Sequence, residues 1–300
     1  MEFTFFLEVL IGGLLSGVMY ALVALGFVLI YKASGVFNFA QGAMVFFGAA
    51  TCVGIAELLS ISVWLAVIPT VLVMILVGLT TERVVLRPLV NQSEITFFMA
   101  TIGLTYFLEG FAQALWGSQA KALDLGIDDV PLMYIMDNYN IMISQFDLIS
   151  AGACALLVAT LAILFSHTKV GRALRAVADD HQAALAVGIP LQRIWAIVWA
   201  VAGVVALVAG LFWGARNGVQ FALTFTALKA LPVLILGGFT SVPGAIVGGL
   251  IIGASEKLAE VYIGPSLGGG IEGWFPYVLA MFFLLIRPEG LFGEKLIRRV

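Results

Sequence analysis

The sequence predicts an all-α fold, a polytopic transmembrane helical bundle of about nine membrane segments, including one short or broken helix pair. Hydrophobic residues make up 62% of the 300 residues and charged residues only 11%, against roughly 45–50% and about 25% in ordinary soluble domains. Six stretches of 19 to 26 residues carry no charge, and about 20 apolar helical residues cover the hydrocarbon core of a bilayer. These observations exclude a soluble globular enzyme.

The uncharged stretches are predicted to be helices, because backbone amides in lipid must be paired within their own segment. They are residues 9–31, 33–56, 58–81, 148–166, 194–215 and 230–255. Two further candidates are residues 95–116, which are apolar apart from Glu109, and residues 273–286. We expect one transmembrane domain over residues 1–300, with the acidic segment 117–147 as a loop on the outer face.

The basic residues predict the orientation, because cytoplasmic loops of membrane proteins carry an excess of Lys and Arg. Eleven of the fifteen basic residues fall in a few loops, which we expect to be cytoplasmic, with the N-terminus outside. They are Lys32, Arg83, Arg87, Lys169, Arg172, Arg175, Arg193, Arg287, Lys295, Arg298 and Arg299.

The stretch 230–255 is predicted to be broken near residues 237–244. One continuous helix here would leave the basic C-terminal residues outside, whereas a short segment at about 227–239 returns them to the cytoplasm. Proline removes a helical hydrogen bond and glycine lowers helix propensity. The residues that favour this broken-helix hinge are Pro232, Gly237, Gly238, Ser241, Pro243 and Gly244. The alternative is a single kinked helix.

A second interruption is predicted at residues 34–42, which read SGVFNFAQG. Non-helical backbone at membrane depth is tolerated where protein buries it or water fills a cavity, so such breaks mark transport pathways. Asn38 and Gln41 are therefore candidates for the substrate path. Their amides can bind substrate or satisfy the freed backbone groups, and both interpretations remain open.

The segment 95–116 adds four candidates for the substrate path, which are Thr101, Thr105, Tyr106 and Glu109. Thr101 and Thr105 are four residues apart and share a helical face, although hydroxyls in spans also serve helix packing. Glu109 is a functional hypothesis because charge inside a membrane is costly; alternatively it reaches the interface or pairs with Lys229. We interpret Glu109 as the one ionisable residue clearly inside a span, which disfavours a self-sufficient secondary transporter or channel.

The polar segment 166–193 is predicted to be cytoplasmic and to contain an amphipathic helix that begins at Gly171 and ends at Gly188. Its apolar stripe is Leu174, Val177, Ala178 and Leu185, and its charged face is Arg172, Arg175 and Asp179. Such a helix lies on the bilayer, docks into a partner or forms a solvated connector.

The sequence contains neither a P-loop pattern nor HExxH or CxxC. We therefore expect no catalytic residues, no metal and no cofactor in this chain. Energy for active transport must come from an ion gradient or from another subunit. A glycine cluster at Gly248, Gly249 and Gly253 predicts close helix packing.

Five segments, in order from about residue 10 to 293, resemble the LivH-type permeases of branched-chain amino acid ABC importers. They are IYKASGVFNFAQGAM, TIGLTYFLEG, GRALRAVADDHQAALAVGI, LKALPVLILGGFTSVPGAIVGGLIIGASE and IRPEGLFG. The resemblance implies a permease subunit in the bacterial inner membrane, with the N-terminus periplasmic and the C-terminus cytoplasmic. Its implied partners are a second related permease, two cytoplasmic ATPase subunits that bind ATP and magnesium, and a periplasmic binding protein.

The resemblance also implies that the cytoplasmic segment couples to the ATPase. The coupling residues would be Gly171, Arg172, Leu174, Arg175, Val177, Asp179 and Gly188. One departure from the family pattern is Val90, where a basic residue is common. Because urea-type permeases share the Asn-Phe-Ala-Gln-Gly style, a urea or short-amide importer remains the alternative to an importer of branched-chain or related hydrophobic amino acids.

Overall fold

A computed structural model describes residues 2–89, 92–179 and 181–293, and within them the chain is helical, with two isolated β-bridges and no strand. The helices are α1 Glu2–Ser34, α2 Gln41–Leu59, α3 Val63–Thr80, α4 Glu94–Trp116, α5 Met133–Tyr139, α6 Gln145–His167, α7 Lys169–Asp179, α8 His181–Ala186, α9 Leu191–Asn217, α10 Leu223–Leu228, α11 Ala230–Gly237, α12 Val242–Tyr262, α13 Gly264–Leu267 and α14 Phe275–Ile286. Helix α3 continues into a π-helical turn, Thr81–Leu86, and a 3₁₀ turn, Arg87–Leu89. The predicted all-α class is confirmed.

Seven helices of the described chain are long and apolar enough to cross a membrane, namely α1, α2, α3 with its continuation, α4, α6, α9 and α12. Two shorter apolar helical stretches are Leu223–Gly237 and Phe275–Ile286. By length and composition, the described residues therefore contain seven candidate spans, and the predicted total of about nine is not confirmed.

The chain divides into two compact units. The first comprises the described parts of residues 1–25, 126–159 and 229–300, and the second comprises those of residues 26–125 and 160–228. Residues Val90, Lys295, Arg298 and Arg299, named above, lie outside the described part of the chain.

In the first unit, α12 packs against α11, α14 and the N-terminal part of α1. Glycines make the contact with α1 close. A Cβ atom on Gly13 would lie 2.7 Å from the carbonyl oxygen of Gly253, and one on Gly17 would lie 2.5 Å from that of Gly249. Only glycine permits this approach, so the predicted role of the glycine cluster in helix packing is confirmed for Gly249 and Gly253. It is confirmed for Gly248 as well, where a Cβ atom would lie 2.7 Å from the carbonyl oxygen of Val233 on α11.

In the second unit, α2 is the central helix and packs against α3, α4, α9 and α10. Nearly every side chain of α2 is buried. Its crossing with α9 is again glycine-mediated, because a Cβ atom on Gly48 would lie 3.1 Å from the Cα atom of Leu207. The Nε1 of Trp195, near the start of α9, donates to the carbonyl oxygen of Ala33 at 2.8 Å and so satisfies the last turn of α1.

Both predicted interruptions are present. Helix α1 ends at Ser34 and α2 begins at Gln41; α11 ends at Gly237 and α12 begins at Val242. The second turn requires glycine, because Gly238 has φ of +101°. The helical stretch before it runs over Leu223–Gly237, so it starts about one turn earlier than the predicted 227–239. The alternative of a single kinked helix over 230–255 is therefore wrong.

Candidate functional site

The first interruption uses its own amide side chains to satisfy its backbone. The backbone N of Ala40 donates to Oδ1 of Asn38 at 3.1 Å, and Nδ2 of Asn38 donates to Oε1 of Gln41 at 3.4 Å. Nε2 of Gln41 in turn donates to the carbonyl oxygen of Ala202 on α9 at 3.4 Å. Both amide residues are buried. These contacts favour the structural interpretation of Asn38 and Gln41, and a contact with substrate stays a prediction.

Aromatic rings hold the same interruption in place. Phe37 stacks on Phe27 of α1 with ring centroids 5.0 Å apart, and Phe39 meets Phe98 of α4 edge-on at 4.8 Å. Such pairs stabilise a contact beyond the apolar area that they bury. The interruption is thereby joined to the first part of α4, next to Thr101.

The candidates on α4 differ in their environment. Thr101 is buried and its hydroxyl donates to the carbonyl oxygen of Phe98 at 3.0 Å, while that of Thr105 donates to the carbonyl oxygen of Thr101 at 2.9 Å. Both hydroxyls therefore bond within their own helix. Tyr106 is 72% exposed, and Glu109 is partly exposed. The structure does not test whether these four residues line a substrate path.

A buried ionic cluster that the sequence analysis missed lies in the first unit. Glu256 lies fourteen residues into the 21-residue helix α12, and its side chain is 2% exposed. Its Oε1 accepts from Nζ of Lys229, between α10 and α11, at 3.0 Å and from the hydroxyl of Tyr20, on α1, at 3.2 Å. Lys229 therefore pairs with Glu256, and its suggested pairing with Glu109 stays a prediction.

A second buried carboxylate lies where α3 continues into the π-helical turn. Glu82 is almost fully buried, and its two oxygens accept from the guanidinium of Arg87 at 2.9 to 3.2 Å. The prediction that Glu109 is the one ionisable residue inside a span is therefore wrong, because Glu82 and Glu256 also lie within candidate spans. The predicted spans were stretches without charged residues, so the stretches 58–81 and 230–255 ended just before Glu82 and Glu256.

The cytoplasmic candidate segment is tied to the end of α6. Arg175 of α7 donates from Nη1 to the carbonyl oxygen of Phe165 at 3.1 Å and from Nη2 to that of Ser166 at 3.2 Å, and Arg172 donates to that of His167 at 3.4 Å. These are carbonyls that the last turn of a helix leaves without partners. The two arginines therefore cap α6.

The predicted coupling residues separate into a buried and an exposed set. Gly171, Leu174 and Val177 are buried, whereas Arg172, Arg175, Asp179 and Gly188 are exposed. Of the predicted apolar stripe, Leu174 and Val177 are buried, as is Ala184 of α8, whereas Leu185 is 55% exposed. Val187 beside it is 75% exposed, so α8 and the turn after it present an apolar surface.

The predicted outer loop, 117–147, is anchored within each unit. In the second unit, the backbones of Lys121 and Val219 exchange hydrogen bonds of 3.0 and 2.8 Å, and Lys121 forms an ion pair with Glu57. In the first unit, Glu8 accepts from the backbone N of Met142 at 3.0 Å. Among the residues that the structure describes, no group of three His, Cys, Asp or Glu side chains is arranged to hold a metal ion.

The chain resembles known proteins over nearly its whole length. Residues 9–286 match the model of the family described as branched-chain amino acid transport system, permease component. The chain is 28% identical over 309 residues to the high-affinity branched-chain amino acid transport system permease protein LivH of Salmonella typhimurium, covering 100% of this chain and 99% of the relative. It is 28% identical over 310 residues to the corresponding protein BraD of Pseudomonas aeruginosa, with the same coverage. A probable branched-chain amino acid transport permease protein LivH of Methanocaldococcus jannaschii is 28% identical and covers 95% of this chain.

Proposed function

The chain belongs to the family of permease components of branched-chain amino acid transport systems, and on that premise we propose that it is the permease subunit of an ATP-driven importer of branched-chain or related hydrophobic amino acids. The observation that carries the proposal is the family match over residues 9–286 of a chain with seven apolar helices of spanning length. The relatives are transport components rather than enzymes.

The proposed topology has nine membrane segments, with the N-terminus periplasmic and the C-terminus cytoplasmic. The seven long helices and the two shorter apolar stretches, Leu223–Gly237 and Phe275–Ile286, make up this count. The chain after α14 returns to the end of α11, because the backbone N of Leu291 donates to the carbonyl oxygen of Leu236 at 2.8 Å. This contact supports a common membrane face for the second interruption and the residues after α14.

The proposed partners are a second related permease, two cytoplasmic ATPase subunits and a periplasmic binding protein. This chain would need no cofactor, since ATP and magnesium would be bound by the ATPase subunits. ATP binding there would switch the permease pair between outward-open and inward-open states around a site within the membrane. The segment 166–193 would transmit this change. Support for that role comes from its exposed apolar residues Leu185 and Val187 and from its firm attachment to α6.

The experiment that tests this function is reconstitution of the assembled importer in proteoliposomes. We expect the chain to co-purify with two ATPase subunits and a related permease, and L-leucine uptake to require ATP. Replacement of Leu185 and Val187 by Glu should abolish ATP-dependent uptake while the chain still inserts into the membrane.

The matched control is Gln192→Glu, which adds one negative charge, against two in the test variant, to an exposed position of the same segment without removing an apolar side chain. It should leave uptake unchanged. Purification of the chain without ATPase subunits, together with L-leucine transport in their absence, would overturn the proposal.

A further inference from the structure

Glu256 has one carboxylate oxygen that the protein leaves unused. Oε1 accepts from Lys229 and Tyr20, whereas Oε2 is buried and has no hydrogen-bond partner among the described residues. A buried acceptor without a partner is unfavourable, and the penalty is larger for a charged group. An ionisable side chain in this position is a candidate for a functional site.

The other oxygen of the Glu256 carboxylate belongs to an ion pair with Lys229. Tyr20 holds Oε1 from α1, and Lys229 brings a positive charge to within 3.0 Å of the same oxygen. Lys229 is 24% exposed, so the cation of the pair is accessible while the carboxylate is enclosed. Lys229 lies at the junction of α10 and α11, and transporter sites commonly lie near such discontinuities in membrane helices.

We propose that Lys229 and Glu256 bind the two charged groups of the transported α-amino acid. Glu256 Oε2 accepts from the α-ammonium group, and the ammonium of Lys229 pairs with the α-carboxylate. The ligand class is thus a zwitterion with adjacent positive and negative charges, matched by a carboxylate and an ammonium on the protein. This inference rests on the proposed import of amino acids and assigns a site for them.

The same chemistry separates amino acids from the alternative substrates. Urea and short amides contain no ionised group, so they cannot replace the Lys229–Glu256 pair by two new ion pairs. An amino acid can, because it supplies a carboxylate for Lys229 at the same time as it supplies an ammonium for Glu256. Exchange of one charge pair for two avoids leaving a buried charge alone.

The test measures L-leucine binding to the purified, assembled importer and ATP-driven uptake in proteoliposomes. Glu256→Gln keeps the shape of the side chain and removes its charge, and we expect L-leucine to bind about 10- to 100-fold more weakly, as for loss of a hydrogen bond to a charged group. Competition by 4-methylpentanoate, which lacks the ammonium group, should be weak for the wild-type protein and should approach that of L-leucine for Glu256→Gln.

A purely structural role of the ion pair is tested by the double variant Lys229→Met/Glu256→Leu. It removes both charges together, so no buried charge is left unpaired and the importer should still assemble. We expect its basal ATP hydrolysis to persist and its L-leucine binding to be lost. The matched control is Glu272→Gln, which breaks the more exposed ion pair between Lys257 and Glu272 at 3.1 Å and should leave binding unchanged.

The outcomes separate this inference from the proposed function. If the wild-type importer takes up L-leucine and the double variant does so equally well, the assignment of the site is wrong and the proposed function stands. If Glu256→Gln binds L-leucine normally, the assignment is likewise overturned. If the wild-type importer takes up urea but no amino acid, both proposals fail.

Discussion

Gly171 of α7 packs directly on the carbonyl group of Phe165 in the last turn of α6, with no room for a Cβ atom. Arg175, one turn further along α7, donates to the same carbonyl oxygen. The junction between α6 and the segment predicted to be cytoplasmic is therefore a tight corner, capped by side chains of α7. A movement of α7 imposed by a partner would be passed to α6 rather than absorbed by a loose connection.

Gly171→Ala should disturb this corner. The added methyl group overlaps the backbone of Phe165, and we expect a loss of about 1–3 kcal/mol of stability, as for other overpacked sites. Coupling between ATP hydrolysis and uptake should weaken in the assembled importer. Thermal unfolding of the extracted chain and uptake per ATP measure the two effects.

Gly152→Ala is the control, because Gly152 lies on α6, the helix that Gly171 contacts, and a Cβ atom there would meet nothing within 4 Å. An equal effect of the two substitutions would show that the corner at Gly171 has no special role.

Two adjacent glycines at the crossing of α1 and α12, Gly12 and Gly13, should respond differently to substitution by alanine. A Cβ atom on Gly13 would lie 2.7 Å from the carbonyl oxygen of Gly253, whereas one on Gly12 would meet nothing within 4 Å. Gly13→Ala should force the helices apart and lower the free energy of unfolding by about 1–3 kcal/mol. The thermal midpoint of the extracted chain should fall accordingly. Gly12→Ala should leave the midpoint unchanged or raise it, because alanine favours a helix. Equal midpoints for the two variants would contradict the close crossing.

Gln41→Leu should destabilise the first interruption. It removes the acceptor for Asn38 and the donor to the carbonyl oxygen of Ala202, leaving buried polar groups without partners at a cost of about 1–3 kcal/mol. Gln220→Leu is the control, since Gln220 is exposed and its amide makes only a long contact of 3.5 Å with Asn217. The measurement is the thermal midpoint of each extracted variant; if Gln41→Leu retains that of the wild type, the amide network does not stabilise the break.

Substitutions of Glu82 and Arg87 should change the free energy of unfolding non-additively. Arg87→Met leaves the buried carboxylate of Glu82 without its guanidinium, and we expect a loss of about 1–3 kcal/mol. The double variant Arg87→Met/Glu82→Leu removes that carboxylate as well and should recover much of the loss. A double-mutant cycle on thermal unfolding measures the coupling. Additive effects would mean that the pair contributes nothing beyond its separate side chains.

Much of the architecture could be predicted from the sequence, because the bilayer imposes local requirements on each segment. A run of about 20 apolar residues must be helical in lipid, and glycine and proline at 237–244 disfavour a continuous helix whatever packs against them. Hence the all-α class and both interruptions were predicted. The start of the short segment was predicted about one turn too late, because residues 219–222, just before α10, contain no glycine or proline that would mark it.

The tertiary structure alone decided which polar groups meet. Tyr20 and Glu256 are 236 residues apart in the chain, and no local pattern relates them to Lys229; their contact depends on the glycine crossing that brings α1 to α12. Likewise, the helical period placed Leu185 on the stripe of Leu174, but only the folded structure shows that its side chain is 55% exposed. The sequence by itself determined which segments form apolar helices and where two interruptions fall, because that depends on neighbours in the chain and on the lipid. The pairing of charges within the membrane depends on distant residues, and therefore only the folded structure decided it.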